Sequence, residues 1–150
     1  MVKNFAPLLS SRKSSAFTIL ELLAVLVILG IILGVLAPNI FRQLGKGKIE
    51  AAKVQMSSLA QSLNQFNMDC GFFPQTEQGL DALITAPTVG RTCSTYDSVG
   101  YFGKKKIPKD PWNSDYNYSS PGQINPQSFD LFSSGPDGQA GTDDDVKNWE

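Results

Sequence analysis

Two sets of carboxylates in this chain are placed where they could do chemistry. The first is a single residue, Glu21, the fifth position of an apolar stretch that begins at Phe17 and reads FTILELLAVLVILGIILGVLA to Ala37. A carboxylate at the centre of a hydrocarbon layer costs roughly 2.5–3.5 kcal/mol, and less near an end, so Glu21 needs a positive partner. The second set is Asp137, Asp143, Asp144 and Asp145, crowded into nine residues with Gly135, Gly138 and Gly141 beside and between them. Carboxylates this close repel one another unless water or a cation neutralises them. Glycines let the backbone turn tightly enough for carbonyl and carboxylate oxygens to face one point. Oxygen donors without His or Cys favour calcium over transition metals. The spacing is not that of an EF-hand, and on composition alone a solvated acidic terminus is an equal reading.

The residues before Phe17 suggest where a partner for Glu21 comes from. Lys3, Arg12 and Lys13 form a basic leader without an acidic residue, and the apolar block follows the small residue Ala16. In an ordinary secretory signal the apolar region precedes the cut and leaves with it. A cut between Ala16 and Phe17 would spare the apolar block and create an α-amine on Phe17, able to pair with Glu21 of a neighbouring subunit. This arrangement resembles the class III leader of type IV pilins and type II secretion pseudopilins, which a membrane prepilin peptidase cleaves before methylating the new amine. Ala16 stands where that family usually has Gly.

The elements that must position these groups follow from length and periodicity. Residues 17–37 would form a helix about 31 Å long, the thickness of a bilayer's hydrocarbon core. Gly30 and Gly34 are spaced to let helices approach closely, and Pro38 removes a backbone hydrogen bond, which predicts a kink. Beyond Gly45 and Gly47, an apolar stripe of Ile49, Ala52, Met56, Leu59, Leu63 and Phe66 recurs at helical spacing. It is expected to cover a sheet of its own subunit rather than to form a coiled coil. Four segments result: a leader, 1–16; a transmembrane and assembly helix, 17–37; an amphipathic continuation, 38–68; and a globular domain, 69–150. The basic leader should stay cytoplasmic, which puts the domain outside the inner membrane, in the periplasm. There Cys70 and Cys93 meet oxidising conditions and a disulfide between them is plausible. Without the leader's three positive charges the formal net charge moves from −1 to about −4. Apart from Lys104-Lys105-Lys106, read as a solvated loop, no basic face remains for nucleic acid.

In the globular part, Thr76 is a suitable N-cap for a short helix with Leu80, Leu83 and Ile84 on its buried face and Pro87 at its end. Residues 116–119 and 129–132 read as strands separated by a Pro121-Gly122 turn. The expected architecture is α+β, a long N-terminal helix packed on a small three-stranded antiparallel sheet. Trp112, Tyr116, Tyr118, Phe129 and Phe132 are its candidate aromatic core.

Three strings carry a more specific likeness: TEQGLDALITAPT from Thr76, the DPW and DY pairs at Asp110 and Asp115, and FSSGPDGQ with GTDDD from Phe132. They resemble the protein G family of major pseudopilins of type II secretion systems, and with leader and stem the likeness covers nearly everything from Phe17 onward. Residues 88–102, around Cys93, are the exception and look longer than usual for the family. The resemblance implies a type IV pilin-like fold with a C-terminal calcium loop. It implies side-chain ligands from Asp137, Asp144 and Asp145, with the carbonyl of Ser134, and leaves Asp143 outside the ligand set. It also implies a non-enzymatic subunit of a helical homo-oligomeric filament that drives export of folded proteins. Its partners would be the prepilin peptidase, minor pseudopilins, the inner-membrane assembly platform and the membrane itself. A type IV pilin for adhesion, motility or DNA uptake is the nearest alternative, sharing leader and stem but normally lacking the glycine-aspartate loop. A membrane-anchored calcium-dependent hydrolase would need a catalytic set that a chain with no histidine does not offer.

Overall fold

The computed structural model describes residues 17–149, with the side chains of 35–41 excepted. The leader, Ala16 included, lies outside the described residues, as does the Pro38 side chain. Helix α1 spans Ile19–Cys70, and strands β1 (Asn117–Ser119), β2 (Asp130–Ser133) and β3 (Val146–Lys147) follow it. The chain divides into two compact units, Met1–Phe41 and Arg42–Glu150.

In the first unit, every described side chain from 17 to 34 is exposed. Ile19 and Leu20 are about four-fifths exposed and Ile32, one of the least, still 46%. A Cβ added at Gly30 or Gly34 would meet open space. Among the described residues no helix is long and apolar enough to cross a membrane. The described side chains of the apolar stretch end at Gly34, three residues short of the 17–37 segment marked by the sequence.

The second unit buries its own stripe. Ala52, Met56, Leu59, Leu63 and Phe66, stepping by four and three residues, are 0–4% exposed. They pack with Leu80, Leu83, Phe102, Tyr116, Phe129, Leu131 and Val146. Helical periodicity places one residue per turn on this face, so the stripe covers the subunit's own sheet as expected. Ile49 does not join it and is 40% exposed. The sheet has the order β1-β2-β3 and is antiparallel throughout. Tyr118 pairs with Leu131, and Ser133 with Val146.

Three sequence expectations need correction. Thr76 caps no helix: its hydroxyl donates to the Ser120 carbonyl (3.1 Å) and accepts from the Ser120 N–H (3.0 Å), tying the segment to the end of β1. The short helix is a single 3-10 turn, Leu80–Leu83, preceded by Gly79 without a side-chain cap. Leu80 and Leu83 are buried there, whereas Ile84 is only partly covered. Phe132 also stays out of the core. Leu131 takes the inward position of β2, so the two-residue strand period turns Phe132 to the other side, where it meets the Trp149 ring at 6.0 Å. Tyr116 and Phe129 are buried, and Trp112 and Tyr118 pack partly buried against them. Buried phenols keep their protons. Desolvation raises the Tyr116 and Tyr118 hydroxyls well above their ordinary value, the Asp110 carboxylate adding to the effect at Tyr116.

Cys70, the last residue of α1, is disulfide-bonded to Cys93. The 88–102 segment is held further by Gln78, whose amide donates to the carbonyls of Val89 (2.7 Å) and Arg91 (2.8 Å). The Arg91 guanidinium lies 4.3 Å above the Phe72 ring. Lys104, Lys105 and Lys106 are exposed.

Candidate functional site

The acidic segment after β2 is a closed loop with both feet in the sheet. It leaves β2 at Ser133 and returns at Val146, and these two residues pair directly. Its first turn depends on Gly135, at φ +62°. A Cβ there would collide with the Asp144 carbonyl, so only glycine lets the two sides of the loop approach this closely.

Within the loop the carboxylates are organised by hydrogen bonds, not scattered in solvent. Asp137 accepts from the Gln139 N–H at 2.8 Å. Asp144 accepts from the Thr142 hydroxyl at 2.5 Å and from the Asp137 N–H at 3.2 Å. The Thr142 hydroxyl, first among the causes, holds the Asp144 carboxyl below the usual carboxylate range. Asp145 is 7% exposed. Its Oδ2 accepts from the Gly141 N–H at 2.8 Å, while its Oδ1 is buried without any hydrogen-bond partner. Such an orphaned anionic oxygen is costly and calls for a cation or ordered water. Ser134 is also buried, and its hydroxyl accepts from the Asn117 amide at 2.8 Å. Asp143 is exposed.

The donor set is all oxygen and includes one buried carboxylate oxygen with nothing to bind, which fits a hard cation such as calcium. Among the described residues no three carboxylate, thiol or imidazole groups converge to hold a metal ion by themselves. Main-chain or hydroxyl oxygens would therefore have to complete the shell. Sequence reading assigned no role to Thr142, though a hydroxyl between Gly141 and the Asp143–Asp145 run is a signal for it.

At the other site, Thr18 precedes α1 and its hydroxyl accepts from the Glu21 N–H at 3.2 Å. This is half of a capping box, T-x-x-E, which starts the helix at Ile19 and fixes Glu21 in its first turn. Sequence reading missed it although the four-residue pattern was visible. A carboxylate there also benefits from the positive end of the helix dipole. Phe17 is 79% exposed, and Ala16, on the other side of the expected cut, lies outside the described residues.

A long N-terminal helix laid over a three-stranded antiparallel sheet, with a capped acid at the start of an uncovered apolar segment, defines a type IV pilin-like protein. A prokaryotic N-terminal methylation motif matches residues 11–37, and the type II secretion system protein G model matches residues 39–149. The chain is 40% identical over 141 residues to the type II secretion system core protein G of Aeromonas hydrophila, covering 94% of this chain and 96% of that one. The core protein G of Klebsiella michiganensis is 41% identical over 138 residues, covering 92% and 94%. The crystal structure of the major pseudopilin from the type 2 secretion system of enterohaemorrhagic Escherichia coli superposes with a TM-score of 0.65 at 36% identity, covering 71% of this chain and 87% of that one. The chain belongs to the type II secretion system protein G family. That membership selects between the two readings the stem left open, in favour of the pseudopilin over the type IV pilin.

Proposed function

We propose that this chain is a structural subunit of the type II secretion pseudopilus. It waits in the inner membrane as a single-pass protein with its globular domain in the periplasm. Prepilin peptidase cuts between Ala16 and Phe17 and methylates the new amine. The observation that carries the reading is the contrast within α1, where every side chain of the largely apolar residues 17–34 is exposed while the stripe Ala52, Met56, Leu59, Leu63 and Phe66 is buried at home. An uncovered apolar helix is stable only in lipid or against copies of itself. Glu21 then meets the Phe17 ammonium of an adjoining subunit, which fixes axial register and removes a bare charge from an apolar setting. Stacking of subunits, guided by minor pseudopilins and the assembly platform, extends a helical filament that drives folded proteins out.

In the globular domain, Asp137, Asp144 and Asp145, with the carbonyl of Ser134, would hold calcium. A bound ion would neutralise the clustered charge and fix the loop against the sheet. The orphaned Oδ1 of Asp145 supports this assignment.

Mass spectrometry of the mature protein tests the processing step. A chain beginning at methylated Phe17 is expected, and an uncut chain, or one trimmed beyond the apolar segment, refutes the polymer reading.

A further inference from the structure

A buried carboxylate outside the acidic loop is wired into it. Asp110 is 5% exposed and lies 23 positions before β2's last residue. Its Oδ1 accepts from the N–H groups of Trp112 (3.0 Å) and Ser114 (2.7 Å), which folds the Asp-Pro-Trp segment into a tight turn. Its Oδ2 accepts from the hydroxyl of Ser133, a fully buried residue. The same Ser133 oxygen accepts from the Gly135 N–H at 3.2 Å. Gly135 is the residue at which any side chain would collide with the Asp144 carbonyl. Asn117, on β1, grips the next residue by donating to the Ser134 hydroxyl.

The direction of these bonds is informative. Asp110 can only accept, so it fixes the Ser133 hydroxyl proton on its own side and turns the oxygen's lone pairs toward Gly135. The Ser134 hydroxyl is held toward β1 by Asn117, which fixes the residue next to Ser133. Local turn formation explains the Trp112 and Ser114 bonds, but it does not require a bond to Ser133.

We infer that Asp110 and Ser133 are positioning residues for the cation loop, a buried relay that presets the Ser134–Gly135 backbone for ion capture. The inference rests on the calcium reading proposed above. The relay replaces loop ordering at the moment of binding with ordering already present, so its loss weakens affinity by more than it weakens the fold.

The test is calcium titration calorimetry on the full chain in detergent micelles, together with melting of each variant in chelator. Ser133→Ala keeps the Asp110 turn and cuts only the link to the loop. Asp110→Asn keeps a similar shape but puts a donor where the Ser133 hydroxyl must donate. Each is expected to weaken calcium binding about tenfold, on the scale of one hydrogen bond to a charged group. The double variant should be no weaker than the weaker single one, because both interrupt the same chain of bonds. Calcium affinity within about twofold of wild type in Ser133→Ala, whatever its melting temperature, overturns the relay. Full additivity in the double variant overturns it too. Absence of calcium binding by the wild-type chain overturns the calcium reading itself, and the relay with it.

Discussion

The two halves of α1 are built on opposite terms. Residues 52–66 present a stripe with a 4-3 spacing that the subunit's own sheet covers, and the residues between, such as Lys53 and Gln61, are exposed. Residues 17–34 are apolar all round apart from Glu21, Thr18 and the glycines, and no described residue of their own unit covers them. One half is finished when the chain folds. The other is finished only by lipid or by further copies. The contrast teaches that stability and assembly are separable in this protein, because the side chains responsible lie in different turns of one helix.

That separation can be broken at Glu21. Glu21→Ala should abolish filament growth and secretion while leaving membrane insertion and the domain's near-ultraviolet circular dichroism intact. Normal fibres and normal secretion in this variant would remove the assigned role. The converse change is in the domain. Phe66 is fully buried, with Tyr101 and Phe72 ring centroids 5.2 and 5.6 Å away. Phe66→Ala should lower unfolding free energy by about 3–5 kcal/mol, read from urea titrations in micelles. Replacing both Cys70 and Cys93 by serine reopens a loop of 22 intervening residues and should cost roughly 3 kcal/mol in the same titration. Chelation is a gentler perturbation: at free calcium one hundred times the dissociation constant a bound ion would contribute about 2.7 kcal/mol, so on the proposed calcium reading adding chelator should lower the melting temperature of wild type measurably.

The smallest effect expected is on acid stability. Asp130 is buried, which pushes its carboxyl up, but N–H donors from Ile124, Asn125 and Gln123 and the Asn125 amide outweigh this and hold it below the ordinary value. A lowered folded value contributes stability that is complete above the unfolded value, about 4, and disappears as pH falls through the folded one. Melting temperature should therefore drop on acidification below about pH 4 more steeply in wild type than in Asp130→Asn. Parallel curves for the two would remove Asp130 from the account.

Much of the fold could be read in advance where a periodicity ran long enough. The stripe from Ala52 to Phe66 spans four turns, and its burial followed from spacing alone. Ile49 fitted the same arithmetic but stays 40% exposed beside an open pocket that it lines with Val146 and Lys147, a boundary that spacing does not mark. β1 begins one residue later than the expected 116–119 and β2 lies one residue beyond 129–132, and alternation within β2 sets Phe132 on the face opposite Leu131. β3, two residues long, is too short to show alternation. Thr76 has the chemistry of a cap but bonds to Ser120, 44 residues away, a pairing no local pattern contains. At the loop, the residue types left a cation and a solvated acidic terminus equal, and only the family likeness favoured the cation and chose among the aspartates. The links through Asp110 and Thr142 depend on which hydroxyl faces which oxygen, and that appears only once the chain is folded.

β3 is also the returning foot of the acidic loop. Its two residues, continued by Asn148, whose N–H donates to the Leu131 carbonyl and whose side-chain oxygen accepts from the Leu131 N–H, make β2 an interior strand on that side. Anything that loosens the loop also peels off this cover and bares a row of unpaired backbone groups along β2, a template on which a foreign strand can add. The loop thus also guards the sheet's flank against strand addition.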